Sequence, residues 1–442
     1  MAVTFIQLQI SLVIGIAIII LLTAKYKVHA FFALLVACLV TGIGANMPVP
    51  EIINTAKEGF GGILKSLGLI IVLGNTLGII LHNTGSTNVM AGWILAKTGK
   101  RNAALAMGIT GFIVGLPVFC DSGYIVLSGL NRSMVKRTGA SAVVMSVCLA
   151  TGLYSVHCLI PPHPGAAAAA FSLGVDYGRL ILAGIVVAIP VVLVAFAWAK
   201  FAGNTITDVP IVENEEHVLG DTPKVLPAFL PVMVPILLIT AKSVFSVNSF
   251  GSSTLIKLFG TLGDPVVALC IGIALAFAAG KNHTPTKTAL LLQEAAEKAG
   301  GILVIIGGGG AFGAVLAATK IGEHFSSSVP LASLGIMFPF LLTFLLKTAQ
   351  GSSTVAIITA SSIVKPLLAA LGLSSETGRL LCVLSMGAGS MFISHANDAY
   401  FWVITNFSGL HMRTVLKVYS TATVLMGFTA IIMVYLLLII LR

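Results

Sequence analysis

Side chains able to bind an anion or carry a proton gather at four places where the flanking sequence is apolar. LPVFCDSGYIVL holds Pro117, Asp121, Ser122 and Gly123; HCLIPPHPGAAAAAF holds His157, Pro161, Pro162, His163, Pro164 and Gly165. KTAQGSSTVAIIT runs from Lys347 through Gln350, Gly351, Ser352 and Ser353 to Thr354, and SMGAGSMFISHANDAYFW carries Ser394, His395, Asn397 and Asp398 before Tyr400, Phe401 and Trp402. Three prolines in four residues remove backbone donors and forbid regular helix, and Gly165 lets backbone approach a ligand closely. The amides of a helix starting after Gly351 form a seat for an anion, with uncharged hydroxyls and an amide beside it. His and Asp add groups whose protonation an altered environment can bring near neutrality. This inventory suits a polyhydroxy carboxylate.

Plainer readings stand beside these. Asp121 can cap a helix starting at Ser122; Lys347 can snorkel to an interface or meet a substrate carboxylate; Tyr400, Phe401 and Trp402 form an interfacial belt or wall the site. His157 and His163, six apart, do not share a helix face as an i, i+4 metal pair would, and His157 reads as a packed, hydrogen-bonded histidine. The six cysteines stand at no metal or redox spacing and read as packing residues.

The elements that hold these clusters follow from composition. Of 442 residues only 9% are charged, against about 25% in a soluble chain, and 57% are hydrophobic. Such a surface belongs in a bilayer, which excludes soluble enzymes and disordered scaffolds. The 25 basic and 15 acidic residues give a net charge of +10, but they are scattered, so no nucleic-acid partner is expected. The expected fold is an all-α polytopic membrane protein of roughly 11–14 segments. Full crossings are expected at about 5–22, 28–44, 59–81, 103–120, 140–160, 180–202, 225–247, 254–280, 301–319, 330–346 and 418–441. Shorter runs near 122–130, 165–174, 353–370, 380–393 and 398–407 read as half-helices and re-entrant pieces. The opening run lacks the basic start and cleavage pattern of a secretory signal and is expected to persist.

An acidic linker at 203–224, with Asp208, Glu213, Glu215, Glu216 and Asp221, divides two transmembrane halves, 1–202 and 225–442. Gly74, Gly78 and Thr84 recur as Gly309, Gly313 and Thr319, and His163 and Gly174 pair with His395 and Gly409, at an offset of 232 to 235. The repeats span about 50–202 and 285–442. If the first helix enters from outside, 15 of the 25 basic residues become cytoplasmic, 9 lie outside and Lys347 is in the membrane; the repeats are then inverted and both chain ends face outward. Repeats with matched broken helices are the pattern of a secondary transporter.

At these clusters the chain resembles the gluconate permease family, proton symporters of gluconate and related hydroxy acids within a wider ion-transporter group. FCDSGYIVL, IPPHPGAAAAA, TAQGSSTVAIITA and GAGSMFISHANDAYFW carry the likeness, and weaker similarity covers most of the chain. The resemblance implies a bacterial inner-membrane location, inverted repeats with hairpins, and a site near Asp121, His163, Ser352, Ser353, His395, Asn397 and Asp398. Ala166 stands where the family pattern often has another proline, which leaves the exact substrate open.

The expectation is a symporter importing gluconate or a close sugar acid by alternating access, with the proton as coupling ion and no cofactor. Its partners are a small organic anion and the bilayer, and a homodimer is a candidate assembly. The site residues are Asp121, Ser122, Gly123, His163, Gly165, Lys347, Gln350, Gly351, Ser352, Ser353, Thr354, Ser394, His395, Asn397 and Asp398. The alternatives are a carrier of D-serine, glycerate or another small acid, or sodium coupling. The remote one is an intramembrane metalloenzyme with His157, His163, His395 and Asp398 around zinc, for which no general-base Glu stands beside a histidine.

Overall fold

A bilayer offers the backbone no water, so a spanning chain of this composition bonds its amides within helices. The computed structural model, which describes residues 5–99, 102–206, 222–248, 253–280, 284–320, 333–395 and 398–441, is accordingly helical, with no strand among them. The acidic residues of the expected linker, Asp208 to Asp221, lie outside the described residues, as does Asn397.

Helix α1 (Phe5–Ile20) continues as a π-helical turn over Leu21–Lys25, and α2 (Ala30–Gly44) packs beside it. Then come α3 (Val49–Asn83), α4 (Ser86–Thr98), α5 (Ala103–Gly115), α6 (Cys120–Thr138), α7 (Ala142–Leu159), α8 (Pro164–Leu173) and α9 (Tyr177–Gly203). The middle of the chain supplies α10 (Val225–Asn248), α11 (Ser253–Leu262) and α12 (Pro265–Ala279). After it run α13 (Pro285–Ala318), α14 (Met337–Gln350), α15 (Ser353–Val364), α16 (Glu376–Ser390), α17 (Ala399–Ser408) and α18 (Met412–Ile440). Seven helices or broken helices among the described residues are long and apolar enough to cross a membrane, and five shorter apolar ones bring the total to twelve, inside the expected range.

Three expected runs differ in detail. Residues 254–280 form two helices, because Asp264 caps the second by accepting from Val266 N at 3.0 Å and Pro265 starts it. The 103–120 run stops at Gly115, where Leu116 and Pro117 turn the chain. The supposedly short run at 122–130 belongs to a 19-residue helix, α6, whose second half is polar.

A succession of elements occurs twice. The 35-residue α3 and 34-residue α13 each precede a helical hairpin, α5–α6 and α14–α15. Each hairpin is followed by a broken helix whose second piece has 10 residues, α8 and α17, and then by a long final helix, α9 or α18. Ser141 and Ser375 cap the corresponding helices α7 and α16.

Packing interlocks the two series. Gly59 of α3 meets Gly310 of α13, while Asn75 Nδ2 donates to Ala295 O over 2.7 Å, so α3 and α13 run antiparallel. The half-helices are exchanged: α8 packs on α15 of the second hairpin, and α17 on α6 of the first. Tyr154 Oη donates to Ser390 O at 3.2 Å, Tyr400 Oη to Ala150 O at 3.0 Å, and the Trp198 indole N–H to Thr421 Oγ1 at 2.8 Å. An 18-residue stretch of the broken span α7–α8 is wholly buried in protein, which fits a sequence apolar around most of the helix.

The α3–α13 crossing depends on absent side chains. A Cβ on Gly310 would stand 2.6 Å from Ile63 Cγ2 and 2.5 Å from Gly59 O. Gly310→Val is therefore expected to cost about 1–3 kcal/mol by overpacking, read as a lower melting temperature in detergent. Gly61→Ala, with nothing within 4 Å of its new Cβ, should not lower it.

Candidate functional site

Four helices begin near one another: α6 at Cys120, α8 at Pro164, α15 at Ser353 and α17 at Ala399. A Cβ on Gly165 would lie 3.0 Å from Ile357 Cδ1 and 3.3 Å from Thr354 Cα, so the first turns of α8 and α15 touch. Tyr124 and Tyr400, 6.2 Å between centroids, join the first turns of α6 and α17. Helix α7 connects the two pairs. Its His157 Nε2 lies 3.3 Å from Thr354 Oγ1, while its Tyr154 stacks on His157 at 6.4 Å and on Tyr400 at 5.5 Å. Helix N-termini carry unpaired N–H groups and partial positive charge, so their meeting favours an anion.

The strongest interaction is an ion pair. Lys347 Nζ is 2.8 Å from Asp398 Oδ2, and both residues are almost fully buried, at 0% and 5% exposure. Lys347 lies one turn before the end of α14, and Asp398 caps α17 by accepting from Tyr400 N at 3.0 Å. Ser394 Oγ donates to the same Oδ2 at 2.5 Å, and Thr423 Oγ1 accepts from Ser394 N at 3.0 Å. Lys347 thus points inward and does not snorkel, and in this conformation its partner is protein.

Beside the pair, Gln350 ends α14 with its side-chain Oε1 and Nε2 buried and without hydrogen-bond partners among the described residues. Gly351 turns the chain at φ 81°, a left-handed conformation that suits glycine, and Ser352 caps α15 by accepting from Val355 N at 3.3 Å. Ser353 is buried in the first turn of α15. The second break contains no proline; Ile393 takes φ 51°, strained for a β-branched residue, and Asp398 N donates to His395 O at 2.8 Å.

In the first half, His163 Nε2 lies 2.7 Å from Gly115 O, and its ring is 4.9 Å from that of His157. The two histidines expected to diverge therefore meet, because the proline break turns the chain back after Ile160. Asp121 occupies the second position of α6; Phe119 is the cap residue, so the carboxylate does not serve as a cap. Among the described residues no cation lies within 4.0 Å of that carboxylate, which accepts from Cys120 Sγ at 4.0 Å.

Some expected residues have other tasks. A Cβ on Gly123 would stand 2.7 Å from Leu153 Cδ2, and Gly165 faces α15, so both glycines lie at close helix contacts. Ser122 and His395 are half-buried beside the site, and Asn397 is outside the described residues. Tyr400 and Phe401 are buried but Trp402 is 41% exposed, so the aromatic trio divides between wall and lipid face. The site also includes His157 and Tyr154, which sequence reasoning had missed or set aside. Their i, i+3 spacing on a largely apolar helix was the available signal. Among the described residues no group of three His, Cys, Asp or Glu is placed to hold a metal ion.

Paired broken helices whose N-termini meet around buried polar groups are an arrangement found in membrane transporters. The comparisons make this particular: the chain belongs to the GntP family of permeases, whose model matches residues 7–440. It is a permease and not an enzyme. It is 30% identical over 437 residues to a gluconate permease of Pseudomonas aeruginosa, covering 97% of this chain and 96% of that one. It is also 29% identical over 432 residues to an Escherichia coli D-serine transporter, covering 95% and 96%. Among solved structures, the YdaH transporter of Alcanivorax borkumensis is similar in fold, with a TM-score of 0.62 at 14% identity over 89% of each chain.

Removing one partner of a buried pair strands the other charge at a cost of about 3–5 kcal/mol. Lys347→Met should lower stability by that amount in a chemical or thermal unfolding assay. Lys347→Met combined with Asp398→Asn should recover most of the loss; equal loss in single and double variants would count against the pair.

Proposed function

We propose that the protein imports gluconate or a closely related sugar acid across a bacterial inner membrane, coupled to protons, by alternating access between two inverted halves. One observation carries the reading: a lysine and an unpartnered glutamine amide lie buried where helix N-termini meet, beside carboxylates and histidines able to take a proton. Lysine, amides and hydroxyls are what a hydroxylated carboxylate needs from its site. The family membership and the gluconate permease among its relatives support the same substrate class. Antiparallel α3 and α13, each opening one of the two matching series, support the inverted arrangement.

Carrying a monovalent anion towards a negative interior costs about 2.3 kcal/mol per 100 mV, and one accompanying proton cancels that charge. Asp121, which has no cation within 4.0 Å among the described residues, favours a second reading in which the substrate is a small amino acid such as D-serine. Its ammonium would find a carboxylate at Asp121 while its own carboxylate met the helix N-termini.

Uptake into proteoliposomes distinguishes these. Labelled gluconate should accumulate under an inward proton gradient in sodium-free buffer, and unlabelled D-serine should compete poorly. Strong competition by D-serine but none by gluconate would exchange the two readings, and a strict sodium requirement would overturn proton coupling. Gln350→Ala should raise the apparent KM about tenfold or more, the loss of one hydrogen bond to a charged group, without changing the amount of protein in the membrane.

A further inference from the structure

The residue that begins each second half-helix reaches back to the end of the preceding hairpin arm. In the first half, His163 reaches the carbonyl of Gly115, the last residue of α5, at 2.7 Å. In the second, Asp398 reaches Lys347 Nζ at 2.8 Å, one turn before Gln350, the last residue of α14. An offset of 235 takes His163 to Asp398, and the same offset takes Gly115 to Gln350. Asp398, and not the expected His395, is thus the structural counterpart of His163. The same joint is a single hydrogen bond to a carbonyl in one half and a full ion pair in the other.

A strut does not require that difference. Two buried charges lose several kcal/mol each in hydration, so a hydrogen bond holds such a joint at lower cost. We propose that the Lys347–Asp398 pair is a releasable latch, in which Lys347 is the counter-ion for the substrate carboxylate and Asp398 holds it in the empty carrier until protonated. The proposal rests on the proton-coupled acid transport argued above. A proton taken from the outer solution binds Asp398 Oδ2 and makes it a neutral carboxyl. Lys347 keeps its charge, leaves Asp398 and pairs with the incoming carboxylate. Inside, substrate and proton both depart and the ion pair reforms, so each cycle moves one anion and one proton, with no net charge.

Gln350 supports this independently. It lies three residues after Lys347 on the same side of α14, with both amide atoms buried and unpartnered, so an anion drawn to Lys347 finds a donor waiting. Other groups facing Asp398 are Cys120 and Asp121 of α6, Tyr154 and Cys158 of α7, Tyr419 of α18 and His395 in its own segment. Among the described residues Lys347 is the only cation paired with it. Protonating Asp121 would release no cation, since none is bound there.

The test is gluconate binding to the purified protein as a function of pH, together with counterflow and proton-driven accumulation in vesicles. In the wild type, affinity should weaken about tenfold per pH unit once Asp398 ionises, as one-proton linkage requires. Asp398→Asn should flatten that dependence and retain counterflow while losing proton-driven accumulation. Lys347→Gln should lose at least tenfold in affinity at every pH. Unchanged pH dependence in Asp398→Asn, or wild-type affinity in Lys347→Gln, overturns the latch. Should Asp398→Asn fail to insert, Asp398→Glu keeps the test open: the slope must persist with its onset displaced along the pH axis, and an unmoved profile overturns the proposal. A wild type that neither binds nor transports gluconate removes the functional reading itself, and the latch falls with it; an active wild type with an indifferent Asp398 variant removes only the latch.

Discussion

A helix can be interrupted inside a bilayer only where the freed backbone groups are covered by protein. That constraint organises this structure. The break before α8 and the described residues on either side of the break before α17 lie against other helices, and an 18-residue stretch of α7–α8 is wholly buried. Each half lends its short helix to the hairpin of the other, so the covering is reciprocal. Neither break could be enclosed without the opposite half.

Close covering demands small residues at the contacts. Gly59 and Gly310 let α3 and α13 approach backbone to backbone; Gly165 brings the starts of α8 and α15 together. The charged side chains buried within this packing are few among the described residues, and Lys347 and Asp398 balance each other there. The electrostatics are uneven between the halves: architecture repeats, yet the charged joint occurs in only one. Repetition therefore supplies the geometry, and the difference between His163 and Asp398 supplies the chemistry.

Much of this was legible before any coordinates. The scarcity of charge announced the bilayer, prolines 161, 162 and 164 marked the first break, and Lys347 to Thr354 marked the tip of the second hairpin. The division at Asp264 was written in a capping residue followed by proline, but hydropathy alone ran across it. The role of His157 was hidden because sequence spacing assumes the helix continues, whereas the chain turns back at Ile160 and brings His163 to it. Asp121 resembled a cap because its spacing from the apolar run allowed one; the helix begins two residues earlier than Ser122 and leaves the carboxylate inside its first turn. The repeat was visible, but its register at the second break was misread by three residues, since two histidines looked more alike than a histidine and an aspartate. Side-chain partners such as Thr354 with His157 were beyond reach, for they join residues 197 apart in sequence.

The three tryptophans are distributed in a useful way. Trp198 is fixed in the α9–α18 seam by its indole hydrogen bond, Trp93 packs edge-on against Phe229, and Trp402 stands on α17 four residues beyond Asp398 with its ring turned outward. A 41% exposed indole and one hydrogen-bonded inside a helix seam differ in their access to a collisional quencher. The second half-helix thus carries its own native fluorophore, and a change in the surroundings of α17 is readable by fluorescence without attaching a dye.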